Sequence, residues 1–150
     1  MGGVTAAISF PSLRWFERLA ELMTEDVQRF RKLGAVDCTM AVSILDGGPD
    51  GAVWNAVLEF EEFAVTEIRE VETSALDGVD FVLETDRESW VEMAENIRAN
   101  SGRPDLDHTL NGMSMAGTPI RCWSTDPLGR DAFFRFNQSI QQFVNNCARL

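Results

Sequence analysis

Apolar residues recur every three or four positions in three stretches of the chain, and this spacing predicts three amphipathic helices. The first begins at Pro11-Ser12 and ends before Gly34, a residue that tolerates the left-handed conformation of a helix end. The second follows Thr85, which is predicted to cap it in a capping box completed by Glu88. The third covers residues 125–150, with Thr125 or Asp126 predicted to cap its start and Pro127 suited to its first turn. Its apolar stripe consists of Phe133, Phe136, Ile140, Phe143, Val144 and Cys147, and Phe134 lies off this stripe.

Between the first two helices the apolar period changes to two, which is typical of strands with one buried face. Four strands are predicted, at residues 36–45, 54–60, 63–71 and 79–84, and Pro119 suits a fifth, edge strand at 120–123. The short connections favour an antiparallel meander. The sequence therefore predicts an α+β fold: a mostly antiparallel five-stranded sheet with N-terminal, middle and C-terminal helices packed on one face. Residues 1–150 are expected to form a single domain.

The net charge of −11 is unevenly distributed, because residues 51–100 hold 13 Asp and Glu against three Arg. Nucleic acid is not an expected partner, since phosphate binding requires a basic surface. The three cysteines have no CxxC spacing and have apolar neighbours, which indicates free buried thiols in a reducing compartment. With no signal-peptide pattern and no apolar run long enough to cross a bilayer, the expected location is the cytoplasm, without an integral membrane segment.

The order of elements and two segments resemble the sterol carrier protein 2-like lipid-binding domain family. Residues 85–93, TDRESWVEM, resemble the short Asp-containing turn that starts a pocket-lining helix in that family. Residues 110–123, LNGMSMAGTPIRCW, stand in the place of its small-residue run before the last strand, and the closing amphipathic helix also corresponds. The family often has a Gly-Lys-rich stretch before its last strand. The corresponding region of this chain has no lysine, so a basic contact with a headgroup or acyl-CoA is not implied.

This resemblance implies a hydrophobic tunnel between the sheet and the helices that binds sterols, fatty acids or fatty acyl esters without catalysis. Ligand pockets of this kind are mostly apolar, and methionine suits adaptable walls. The candidate lining residues are Trp54, Phe60, Phe81, Trp90, Met93, Ile97, Met113, Met115, Phe134 and Phe143. The alternative is that these residues form an ordinary filled core.

No catalytic, metal or cofactor site is expected. The segment 103–111 is predicted to be a short turn or helix with Leu106 and Leu110 inward. Its Asp105, Asp107 and His108 could ligate a metal, but capping aspartates are the simpler interpretation. Cys122 could pair with His108 as a nucleophile, yet its place in a strand favours packing.

Two other function classes remain open. A small enzyme of the ketosteroid isomerase or nuclear transport factor-like type has an apolar pocket with a carboxylate base and, often, a tyrosine oxyanion donor. This chain has no tyrosine, and it is predicted to end in a helix where such folds have strands. A dimerisation or interaction module with a filled core would instead expose an aromatic patch near Phe134, and a homodimer is a possible assembly.

Overall fold

The computed structural model describes residues 7–115 and 117–150, with a five-stranded sheet at its centre. The strands are β1 (Cys38–Ile44), β2 (Trp54–Glu61), β3 (Ala64–Glu70), β4 (Phe81–Thr85) and β5 (Arg121–Trp123). The helices are α1 (Leu13–Glu25), α2 (Val27–Leu33), α3 (Arg87–Ala99), α4 (Leu110–Met113), α5 (Pro127–Arg135) and α6 (Asn137–Asn145). Among the described residues, no helix combines the length and the apolar character that crossing a bilayer requires.

The strand order is β3-β2-β1-β4-β5, and one pair of neighbours is parallel. β1 pairs antiparallel with β2, and β2 pairs antiparallel with β3 through a register shift between Glu59 and Phe60. β4 does not continue this meander. It lies on the other side of β1 and runs parallel to it, with Met40 opposite Phe81. The prediction of a mostly antiparallel sheet is confirmed, whereas the simple four-strand meander is wrong.

The connection between β3 and β4 explains this departure. Instead of turning back beside β3, it forms a 3-10 turn, Thr73–Gly78, and leads to the opposite side of β1. Leu76 and Val79 of this segment are buried against Ala41, Val57 and Val82 of the sheet. The crossing segment therefore covers a second apolar face of the sheet. A tight turn would have left that face in water.

The helices cover the other face, as predicted. Phe16 of α1, Trp90 of α3 and Phe143 of α6 belong to the same buried cluster as Met40 and Val42 of β1. The side chains on this face are large. The sheet residues directly under the crossing segment, Ala41, Val57 and Val82, are smaller, and a thin 3-10 turn is enough to cover them.

Two of the predicted helices are each divided into two. The first breaks at Asp26, between α1 and α2, and the last breaks at Phe136, between α5 and α6. Gly34 ends α2 with a φ of 105°, which confirms its predicted role. The middle helix is capped by Asp86, which accepts a hydrogen bond from the Ser89 N–H, and not by Thr85. The predicted cap is wrong because Thr85 still belongs to β4 and is buried there.

Two glycines allow backbone segments to approach more closely than any side chain would permit. A Cβ atom on Gly129 of α5 would lie 2.1 Å from the carbonyl oxygen of Asp80. A Cβ atom on Gly112 of α4 would lie 2.0 Å from the carbonyl oxygen of Leu106. Because neither neighbour is a flexible side chain, a methyl group at either position has to displace backbone. The positions of α4 and α5 thus depend on the absence of side chains at these two sites.

We expect Gly129→Ala to lower the free energy of unfolding by about 2 kcal/mol, since the new methyl group would force α5 away from the residues before β4. Urea denaturation followed by circular dichroism measures this change. Gly78→Ala is the matched control, because a Cβ atom there meets no atom within 4 Å. The control should change stability by no more than about 1 kcal/mol. Equal losses in the two variants would contradict the close approach.

Candidate functional site

Eight of the ten predicted lining residues lie together in the core between the sheet and the helices. They are Trp54, Phe60, Phe81, Trp90, Met93, Ile97, Met113 and Phe143. Their aromatic rings contact neighbouring rings: the centroids of Phe60 and Phe143 are 5.2 Å apart, and those of Phe81 and Phe133 are 5.4 Å apart. The structure therefore brings these residues together as packed side chains, and their contact with a ligand remains a prediction.

The other two predicted residues, Met115 and Phe134, lie at the surface, with 67% and 57% of their area exposed. Both line a groove of about 560 Å³ that we name the α4–α5 groove. Its lining consists of Leu106, Thr109, Asn111, Gly112, Ser114, Met115, Cys122, Arg130 and Phe134. Leu106 is 86% exposed, so the prediction that it points inward is wrong, whereas Leu110 is buried as predicted.

One wall of the groove is held in place by polar contacts with α3 and α6. The Asp105 carboxylate accepts a hydrogen bond from the side-chain N–H of Asn96 at 2.8 Å, and the Asp105 backbone N–H donates to the side-chain oxygen Oδ1 of Asn96 at 2.9 Å. His108 Nε2 lies 3.4 Å from a carboxylate oxygen of Glu92. The Leu110 N–H donates to the Gln141 side chain at 2.7 Å. These contacts fix the segment that carries Leu106 and α4.

The same contacts bear on the candidate metal ligands in this segment. Asp105 bonds to α3 and makes no side-chain cap for the 3-10 turn Leu106–His108. Thr109 is the residue that caps the following helix, through a 2.9 Å bond from the Gly112 N–H. Within residues 7–115 and 117–150, no group of three or more His, Cys, Asp and Glu side chains is placed to hold a metal ion. The contacts of residues 105–110 with α3 and α6 therefore stabilise one wall of the groove.

The opposite wall is α5, which begins as predicted. Asp126 accepts a hydrogen bond from the Leu128 N–H at 2.9 Å, and Pro127 occupies the first turn. Successive residues of a helix point about 100° apart, so adjacent phenylalanines face different surroundings. Phe133 is buried against Phe81, whereas Phe134 extends into the groove. The rings of Phe133 and Phe134 are 5.4 Å apart, which places the groove directly outside the core.

The polar chemistry of the groove is limited. Burial raises the pKa of the Cys122 thiol to about 11, and the nearby positive charge of Arg130 offsets only part of this effect. The thiol is therefore protonated at neutral pH and behaves as a small apolar group. The Arg130 guanidinium lies 6.0 Å from the centroid of the Phe134 ring. Among the described contacts, His108 pairs with Glu92 and not with Cys122, so the nucleophile–base pair considered from the sequence is not formed.

Some residues that shape the groove carry only a weak signal in the sequence. Gly112 and Gly129 each lie inside a short helix, where glycine is less favourable than alanine by about 1 kcal/mol. A glycine in such a position is an indication of close backbone approach. Arg130 carries no comparable signal, because an arginine on a helix surface is ordinary.

Comparison with known proteins confirms the predicted fold. No family model and no curated protein sequence matches the chain. A solution structure of a conserved hypothetical protein, possibly sterol carrier protein, from Thermus thermophilus matches with a TM-score of 0.65 at 16% identity, over 97% of this chain and 91% of that one. A crystal structure of sterol carrier protein 2 matches with a TM-score of 0.63 at 20% identity, over 94% of this chain and 98% of that one. The chain has the sterol carrier protein 2-like fold; identities this low establish the fold alone.

The pKa of Cys122 can be tested by its reactivity. Only the thiolate reacts with iodoacetamide, so the rate of labelling at Cys122 should rise about tenfold per pH unit between about pH 7 and pH 10, without a plateau. Peptide mapping by mass spectrometry measures the labelling rate of each cysteine. The labelled peptide that is lost in Cys122→Ser is the one that contains Cys122. Cys38 and Cys147, whose burial raises the pKa to about 12, should label more slowly still. A plateau below about pH 9 would show that Cys122 is an activated thiol.

Proposed function

We propose that the protein binds and carries a hydrophobic small molecule such as a sterol, a fatty acid or a fatty acyl ester, without performing chemistry on it. The observation that supports this most is the convergence of three exposed large apolar side chains, Leu106, Met115 and Phe134, on one groove. Single exposed apolar residues are common on protein surfaces, but contiguous ones indicate a binding site. A volume of about 560 Å³ also lies within the range of small-molecule pockets, about 300–1,000 Å³.

Binding to the groove alone would be weak. Burial of about 200 Å² of apolar ligand surface contributes about 5 kcal/mol, and much of this is offset by the entropy of association. A carrier that holds its ligand more tightly has to draw on the apolar residues behind the groove. Met113 follows Gly112 in α4, and Phe81 lies against Phe133, the neighbour of Phe134. We therefore propose that the ligand enters between α4 and α5 and reaches these buried residues when the two walls separate.

The ten residues predicted from the sequence then play two parts. Met115 and Phe134 would contact the ligand first, at the surface. The buried residues nearest the groove, Met113 and Phe81, would contact it after entry, and the flexible side chain of Met113 could repack around it. The remaining buried aromatic residues would form the inner end of the site.

The absence of catalysis is proposed from the lining of the groove. Among the described residues that line it, none is an aspartate, a glutamate or a histidine that could act as a general base. The thiol of Cys122 is protonated at neutral pH, as its raised pKa of about 11 requires. The two similar structures, one of sterol carrier protein 2 and one of a protein described as possibly sterol carrier protein, support the class of ligand by analogy of fold.

We expect wild-type protein to bind an uncharged fluorescent sterol and a pyrene-labelled fatty acyl methyl ester saturably, and Phe134→Ser to weaken this binding about five- to tenfold. The loss reflects the apolar contact area of one half-exposed phenylalanine, about 1 kcal/mol. Leu128→Ser is the matched control, because Leu128 is on the same helix and 74% exposed but does not line the groove. Fluorescence titration measures both variants.

The control variant should bind within about twofold of the wild type. If neither probe binds the wild-type protein saturably, the carrier proposal fails. If Leu128→Ser weakens binding as much as Phe134→Ser does, the probes adsorb to exposed apolar residues in general and the groove is not the site.

The exposed ring of Phe134 also supports a second candidate function, self-association through the α4–α5 groove. Phe134→Glu would place a charge in such an interface, where an unpaired buried charge is strongly unfavourable. If the groove joins two copies, analytical ultracentrifugation should give a dimer mass for the wild type and a monomer mass for Phe134→Glu. An unchanged mass would contradict self-association through this surface.

A further inference from the structure

A second apolar recess lies outside the α4–α5 groove and shares no lining residue with it. It encloses about 330 Å³ between the segment 7–10, α3 and the residues around Cys147, and we name it the N-terminal pocket. Its apolar lining includes Ile8, Phe10, Trp15, Val91, Ala94 and Leu150. The volume lies at the lower end of the range for small-molecule pockets, which suits a compact ligand.

Positively charged side chains outnumber negatively charged ones in the lining of this pocket. Arg87 and Arg98 both line it, and among the described residues neither guanidinium group has a carboxylate oxygen within 4 Å; the Asp46 carboxylate accepts a hydrogen bond from the Arg87 backbone N–H, at 2.7 Å. Glu95 is the one acidic side chain among its described lining residues. On a protein with a net charge of −11, the pocket thus has two positively charged side chains against one negatively charged side chain. A guanidinium presents two parallel N–H donors that match the geometry of a carboxylate.

The wall behind the pocket is aromatic. The ring of Phe10 is stacked on that of Trp90, with centroids 5.7 Å apart and an interplanar angle of 3°, and it meets Trp15 edge-on at 5.0 Å. The Arg87 Nε–H donates to the carbonyl oxygen of Phe10 at 3.0 Å and so ties this segment to α3. Trp90 is fully buried, and its indole nitrogen has no hydrogen-bond partner among the described residues. Aromatic walls favour a ligand with an aromatic body, because rings pack edge-to-face or in offset stacks.

We propose that the N-terminal pocket is a binding site for an aromatic carboxylate, with the ring against Phe10 and Trp15 and the carboxylate paired with Arg98 and Arg87. The site is distinct from the groove that we propose for the carried hydrophobic molecule. The two differ in the number of guanidinium groups that they offer to an anion: the groove has one, that of Arg130 beside the Phe134 ring, whereas the pocket has two. Glu95 opposes binding of the anion and limits its affinity.

The test compares 2-naphthoate with its uncharged counterpart, 2-naphthalenemethanol, by isothermal titration calorimetry on the full chain. Wild-type protein should bind 2-naphthoate at least about fivefold more tightly, because only the carboxylate pairs with the arginines. Arg98→Gln should weaken the binding of 2-naphthoate about three- to fivefold, a modest factor because both partners are accessible to solvent. Glu95→Gln should strengthen it by a similar factor. Arg103→Gln, which removes an exposed arginine outside the pocket, should change it less than about twofold.

Three results would overturn the proposal: no binding of 2-naphthoate, equal affinity for the two probes, or equal effects of Arg98→Gln and Arg103→Gln. Location is tested separately by the indole N–H resonances in a 1H–15N spectrum, where those of Trp15 and Trp90 should shift. If Phe134→Ser weakens the binding of 2-naphthoate and Arg98→Gln does not, the anion lies in the groove. That result would rule out the N-terminal pocket as the anion site without contradicting the proposed carrier function. If Arg98→Gln fails to fold, Glu95→Gln still tests the proposal. An unchanged or weakened affinity of Glu95→Gln for 2-naphthoate would contradict it.

Discussion

The burial of both faces of β1 constrains the arrangement of the other elements. Met40, Val42 and Ile44 point to one side of this central strand, and Ala41 and Ser43 point to the other, with all five removed from water. An apolar face of a sheet has to be covered by another layer. The helices cover the face of Met40 and Val42. The segment that crosses from β3 to the far side of β1 covers the face of Ala41. The parallel pairing of β1 with β4 is a direct result of that crossing.

The same constraint directs possible binding sites to the edges of the helical layer. Aromatic side chains from the sheet and from α1, α3 and α6 fill the space between the layers. Two of the recesses on the described surface lie where the helical layer ends. One lies between α4 and α5, each of which approaches neighbouring backbone through a glycine. The other lies between α3, the segment before α1 and the residues after α6. Each recess is next to buried aromatic residues, so a ligand bound there would lie directly against the core.

The two recesses differ in chemistry because of their surroundings. In the α4–α5 groove, burial keeps the thiol of Cys122 neutral, and Arg130 lies near the ring of Phe134. In the N-terminal pocket, two guanidinium groups lack carboxylate partners among the described residues, and one glutamate opposes them. An aromatic anion would therefore meet two guanidinium groups in the pocket and one in the groove, and charge contributes to specificity in this way.

Periodicity, together with turn signals and short connections, was enough to predict most of the helices and strands and the α+β fold, because burial of one face leaves a repeat that can be read along the chain. Local signals also identified Gly34 as the end of α2 and Thr125 or Asp126 as the start of α5. The pairing of β1 with β4, the outward position of Leu106 and the divided helices depended on contacts between residues far apart in the sequence. An apolar pattern states that a residue avoids water, but not which neighbour covers it. Eight candidates therefore lie buried between the sheet and the helices, while Met115 and Phe134 lie in a groove, a distinction that only the volumes and positions of their neighbours decide.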